Sequence, residues 1–155
     1  MKTFKLIIKN FWFIPVILTV VVLVNLFLFR ISFTIGDSME PTLSNGDVIF
    51  TQITKEVERY DIIVFKYDNK YLVKRVIGCP GETMQIIENT IYINGKPIKD
   101  SVNILMEDCG IAEKSITLKA DEYFVMGDNR NYSMDSREFG PIEKDTILGR
   151  KFKIE

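Results

Sequence analysis

The chain contains no histidine, and that absence excludes more chemistry than any residue present. Ser-His-Asp triads, Cys-His pairs and HExxH zinc sites all need the missing imidazole. Cysteine is scarce as well: Cys79 and Cys109 are the only two, at a spacing that matches no metal motif. On an oxidising side of a membrane they can close a loop, and in a reducing setting they stay thiols; the sequence does not choose between these. No internal repeat or low-complexity segment is present, and no metal or organic cofactor is called for by any motif.

At 155 residues, 46% of them hydrophobic, the chain is long enough for one compact domain and short for two. The apolar residues are unevenly spread. Over residues 11–29 only Pro15, Thr19 and Asn25 interrupt them, and 19 residues as a helix reach roughly 28 Å, close to the hydrocarbon thickness of a bilayer. The expectation is one transmembrane helix over 11–29, preceded by a basic N-terminus (1–10) and followed by an exterior part (30–155). A cleaved secretory signal fits less well, because Arg30-Ile31-Ser32-Phe33 offers no small-x-small site and the run exceeds a usual signal core. Lys2, Lys5 and Lys9 precede the run and Arg30 alone follows it, with no acidic residue before Asp37, so the N-terminus is expected in the cytoplasm and the exterior part outside. Taking these four cations from the 20 Lys and Arg leaves 16 against 21 acidic residues, a net charge of −5 over residues 31–155. Nucleic acid is excluded as a partner on that balance.

Beyond the apolar run the sequence breaks into short β-branched and aromatic stretches between turn signals, the pattern of an antiparallel β domain. Residues 60–67 and 71–77 predict a hairpin across Asp68-Asn69-Lys70. A second hairpin is expected over 84–87 and 90–93, with Asn94-Gly95 as the next turn. Residues 99–119 mix charges and isolated apolars without period, which predicts a surface excursion or small cap. Strands resume over 122–126 and 147–154. The fold class is therefore mostly β, with one N-terminal helix and a minimal cap.

Three stretches carry candidate chemistry. Gly36-Asp37-Ser38-Met39-Glu40-Pro41 is a tight turn that can present a hydroxyl together with neighbouring backbone N–H groups; without histidine, the remaining common activator for Ser38 is a desolvated lysine. Lys74 is that candidate, because strict alternation puts it on one strand face with Leu72 and Val76, pointing at an apolar layer. Bringing its pKa from about 10.4 to near 8 costs roughly 3 kcal/mol, reasonable for a base and wasteful for a surface charge. The third stretch, 127–140, is a dense polar loop in which Asp128 and Asp135 can each accept from Arg130 or Arg137 and so orient a hydroxyl such as Ser133. A calcium loop is disfavoured there by Arg130, which stands where an EF-hand wants Asp or Asn.

Together these stretches resemble the bacterial type I signal peptidases, membrane-bound serine proteases with a Ser/Lys dyad. Ser38-Met39-Glu40-Pro41-Thr42 resembles the nucleophile box, Lys74-Arg75-Val76-Ile77-Gly78-Cys79-Pro80-Gly81-Glu82 the lysine box, and 127–140 the box ending in Asp-Ser-Arg; their order and the upstream apolar run agree. The resemblance implies that Ser38 attacks the scissile carbonyl, Lys74 takes its proton, Ser133 hydrogen-bonds and orients Lys74, and Asp135 pairs with Arg137 near Asp128. Gly36 departs from members with a serine at that position, which puts a second oxyanion donor in doubt and leaves the backbone N–H of Ser38, with Gly36 as a further backbone contributor. The implied substrate is a preprotein still tethered in the bilayer, cut at a small-x-small site. It would bind extended beside the Lys74 strand, with Leu72 and Val73 as pocket walls. Two other readings fit less of the sequence. A self-cleaving Ser/Lys repressor lacks a place for the apolar run, and a membrane-anchored β domain that merely binds exported proteins leaves Ser38 and Lys74 unexplained.

Overall fold

The computed structural model describes residues 11–152. Helix α1 (Phe13–Leu28) is 16 residues long, about 24 Å at 1.5 Å per residue. Among the described residues no helix is long and apolar enough to cross a membrane. The expected span over 11–29 is thus shortened at its C-terminal end: Phe29 opens strand β1 (Phe29–Phe33) and pairs with Gln52. Apolarity alone does not separate helix from strand, whereas the alternation Phe29-Arg30-Ile31-Ser32-Phe33 does. Lys2, Lys5 and Lys9 lie outside the described residues.

The rest is mostly β. Strands β2 (Val48–Gln52), β3 (Ile62–Tyr67) and β4 (Lys70–Gly78) precede a smaller group, β5 (Thr83–Ile87), β6 (Thr90–Ile93), β7 (Lys96–Pro97) and β8 (Ile116–Thr117). The chain then returns through β9 (Glu122–Met126), β10 (Ile142–Glu143) and β11 (Ile147–Lys151). A seven-stranded sheet has the order β1-β2-β11-β3-β4-β9-β10, and a four-stranded sheet the order β7-β6-β5-β8. Every pairing is antiparallel.

Both expected hairpins form, the first with a tighter turn than the sequence suggested and the second with the expected one. Tyr67 pairs with Lys70, so the β3–β4 turn is Asp68-Asn69 alone, and Tyr60, at φ 71°, stands before the strand and not in it. The β5–β6 turn places Glu88 and Asn89 both at positive φ, the two-residue geometry that matches strand twist. The segment 99–119 is more than a surface excursion: Met106, Ala112 and Leu118 are buried in one core cluster with Ile77, Met84 and Phe124. Cys79 and Cys109 are free thiols, half-buried against different clusters, and burial pushes both thiol pKa values up.

Two further clusters position the site. One packs Ile63, Phe65, Val76, Val125 and Ile147 on a face of the large sheet. The other joins Met39 and Leu43 to Ile49 and Ile62, with Val73 against it. Burying Met39 and Leu43 pins the turn that carries Ser38 to the sheet through side chains, worth roughly 1.5–3 kcal/mol each.

Candidate active site

Strand β1 ends at Phe33, and the turn after it is tied back at once. Thr34 donates its N–H to Asp47 O at 2.9 Å and its hydroxyl to Ser44 O at 2.5 Å. Gly36 sits at φ +93°, a conformation that side chains rarely adopt. Its N–H donates to Asn45 Oδ1 at 3.0 Å, so Gly36 has no free N–H to offer an oxyanion and the contribution expected of it is corrected. The Ser38 N–H makes no hydrogen bond among the described residues.

Lys74 lies on β4 opposite Ile63 and is 3% exposed. Its Nζ is 2.5 Å from Ser38 Oγ, although 36 residues separate the two in sequence. Burial lowers the amine from 10.5 to about 8, opposed by the negative charge of Asp135, helped by the positive charge of Arg137 and opposed again by Asp128. The alternation that put Lys74 on an apolar face thus ends with its tip beside the serine.

The loop after β9 is braced by ion pairs, in a partly different pattern from the one expected. Asp135 and Arg137 do pair, at 2.9 Å, both buried, and Asp135 Oδ2 also accepts the Gly127 N–H at 2.9 Å. Asp128, fully buried, instead takes Arg75 bidentately, at 2.8 Å from Nε and 2.5 Å from Nη2. Arg130 pairs with neither loop aspartate; it pairs with Asp100 of the 99–119 segment and donates from Nε to Gly127 O at 2.9 Å. Ser133 is a second correction: its Oγ is buried without a partner and makes no bond to Lys74. Removing one member of a buried ion pair costs about 3–5 kcal/mol, so these pairs fix the loop's geometry.

Sequence reasoning missed Arg75, Asp100 and Asn129. Arg75 neighbours Lys74 but points to the opposite strand face, where it reaches Asp128, Tyr60 O and Thr42 Oγ1 at 2.8–3.4 Å for Nε, Nη1 and Nη2 respectively. Asn129 holds the serine turn from the other side, its N–H on Ser38 O and its Nδ2 on Asp37 O, each at 3.1 Å. Only the excess of charge in the loop hinted at such bracing; the partner identities depend on the fold.

A groove of about 660 Å³ runs up to the Ser38–Lys74 pair. Its lining includes Ser32, Thr34 and Ile35 from the β1 end and Tyr71, Leu72 and Val73 from β4. Strand β9 pairs with β4 only from Arg75 onward, so residues 70–74 have β3 on one edge and no strand on the edge facing the groove. An extended peptide can hydrogen-bond there as an added strand.

Comparison with known proteins places this geometry among relatives. The family described as signal peptidase, peptidase S26, matches residues 7–154. The chain is 37% identical to signal peptidase I V of Bacillus subtilis, over 91% of this chain and 95% of that protein. It is 39% identical to signal peptidase I of Bacillus licheniformis, over 89% and 83% respectively. The crystal structure of a signal peptidase I from Enterococcus faecalis superposes with a TM-score of 0.52 at 30% identity, covering 63% of this chain and 97% of that one.

Proposed function

The chain belongs to the S26 signal peptidase family, whose signal peptidase I members are serine endopeptidases, and from that premise we propose that Ser38 and Lys74 are its catalytic dyad in the removal of signal peptides from exported preproteins. The observation that carries this reading is the 2.5 Å approach of a buried, low-pKa amine to a groove-facing hydroxyl. As free amine, Lys74 accepts the Ser38 Oγ proton while Oγ bonds to the scissile carbonyl carbon, and the Ser38 N–H donates to the oxyanion. The proton then passes to the leaving amine, the C–N bond breaks, and an acyl-enzyme remains. Lys74 next takes a proton from water, and the resulting hydroxide releases the acyl group. Asp128, Arg130, Asp135 and Arg137 hold the loop in place, and Leu72 and Val73 wall the pockets for small side chains.

We place the reaction at a membrane surface. The apolar residues up to Leu28 anchor the chain, residues 1–10 lie in the cytoplasm, and the β domain from Phe29 onward lies outside. Supporting this, Ile31 pairs with Phe50 and Phe33 with Val48 on the outward face of the β1–β2 hairpin, where all four are 49–68% exposed. A contiguous exposed apolar face next to an apolar helix suits the interfacial layer of a bilayer.

The test is cleavage of a model preprotein with alanine one and three residues before the cut, beside the same preprotein with leucine at both. Cutting at the mapped site in the first and a loss of roughly a hundredfold or more in the second is expected, since shallow pockets reject bulk. Equal cutting of both, or cutting elsewhere, overturns the reading. The pH profile adds a second check. Because the free amine is the active form and its pKa is about 8, kcat/KM rises about tenfold per pH unit up to that value and then levels. With no histidine in the chain, no second inflection is expected between pH 5 and 7.

A further inference from the structure

We propose that Asn129 is the positioning residue that aims the oxyanion donor, a role that rests on the dyad reading above. Gly36 N–H is engaged by Asn45, whereas the N–H of the nucleophile's own residue, Ser38, is without a hydrogen-bond partner among the described residues. That N–H belongs to the same planar peptide as Asp37 C=O, and in a trans peptide the two point in opposite directions. Fixing the carbonyl therefore fixes the N–H.

Asp37 O accepts from Asn129 Nδ2 and from Glu40 N, both at 3.1 Å. These bonds hold the carbonyl toward the loop, which turns the Ser38 N–H away from it. The next peptide is held by the same residue, through Asn129 N on Ser38 O at 3.1 Å. One asparagine thus grips two successive carbonyls on either side of the nucleophile's Cα. Donation to Asp37 O also polarises its peptide and strengthens the N–H as a donor. The loop can come this close because Gly127 has no side chain: a Cβ there would stand 2.5 Å from Ser38 O. Asn129 itself is held by its neighbour Asp128, paired bidentately with Arg75.

Two variants isolate the side chain, since both keep the Asn129 backbone bond. Asn129→Ala removes the donor, and Asn129→Asp replaces it, at similar shape, with an acceptor facing Asp37 O. Three readouts are taken: kcat and KM on the alanine-bearing preprotein, binding of a peptide aldehyde, and binding of the matching peptide alcohol. With the aldehyde, Ser38 Oγ bonds to the carbonyl carbon, its proton moves to Lys74, and the former carbonyl oxygen carries the charge; the alcohol forms no such bond. Both variants are expected to lose kcat by roughly tenfold to a hundredfold, less than removal of an oxyanion donor itself costs, with KM within about twofold. Aldehyde affinity falls by the same factor and alcohol affinity stays. Unchanged kcat, or parallel weakening of aldehyde and alcohol, overturns the role of Asn129 while leaving the dyad intact. Failure of the unmodified protein to cut or to bind the aldehyde overturns the dyad reading and this inference with it.

Discussion

Lys74→Met abolishes cleavage, by about 10⁴-fold or more, and at the same time raises the stability of the protein at neutral pH. The loss follows from removing the base that, among the described residues, reaches Ser38 Oγ. Ser38→Ala is expected to be equally inactive, and the double variant no worse than either, because groups that act as a unit are non-additive. The gain follows from linkage. The Lys74 amine is lowered from 10.5 to about 8 in the folded state, so the unfolded chain binds its proton more tightly. The folded state therefore carries a penalty of up to about 3 kcal/mol below pH 8, which fades as pH rises to 10.5. Methionine, of similar length and no charge, escapes it. Thermal or urea unfolding of both proteins between pH 6 and 10.5 measures this. The stabilisation should be largest below pH 8 and vanish near 10.5; a variant destabilised to the same extent at every pH would show that the amine is not desolvated, and one that still cuts would place the base elsewhere.

Gly127→Ala is expected to reduce kcat/KM by about a hundredfold. Gly127 does not sit at positive φ, so the reason is space, not backbone strain. A methyl there meets Ser133 Oγ and Cβ and lies 2.5 Å from Ser38 O. The last of these is backbone on the nucleophile's own residue, which cannot rotate away. The turn and the loop must part, and a displacement near 1 Å at reacting groups costs on the order of 10²-fold. Overpacking itself costs roughly 1–3 kcal/mol, so the melting temperature should fall by several degrees. Rates measured well below that midpoint separate the two effects. A Gly127→Ala protein with full activity would mean that the loop does not need to touch the serine turn.

How much of this could be read from the residues differs by kind of interaction. The β3–β4 hairpin was legible because period-two alternation and an Asp-Asn turn are local signals. Ser38 and Lys74 were legible for a different reason: the lack of histidine left few bases, and a lysine on an apolar strand face needs an explanation. The pairing of β1 with β2 was not, since its apolar residues ran on from the helix without a break. Nor were the partners of the loop charges. Any of several aspartates could have met any of several arginines, and the choice of Arg75 for Asp128 and Asp100 for Arg130 depends on contacts 53 and 30 residues apart in the chain. Short-range physics names the ions, and only the packed sheet assigns the pairs.

Helix α1 ends at Leu28 and β1 begins at Phe29, with no residue between them. On the membrane placement proposed above, with α1 in the bilayer, this junction would have no slack, and the height of the serine above the membrane would be set by the backbone. Cleavage then becomes a measurement of length. A substrate tethered in the same bilayer would be cut where its chain stands level with a fixed blade, and the distance from the end of its embedded segment to the bond would be selected along with the side chains at the bond.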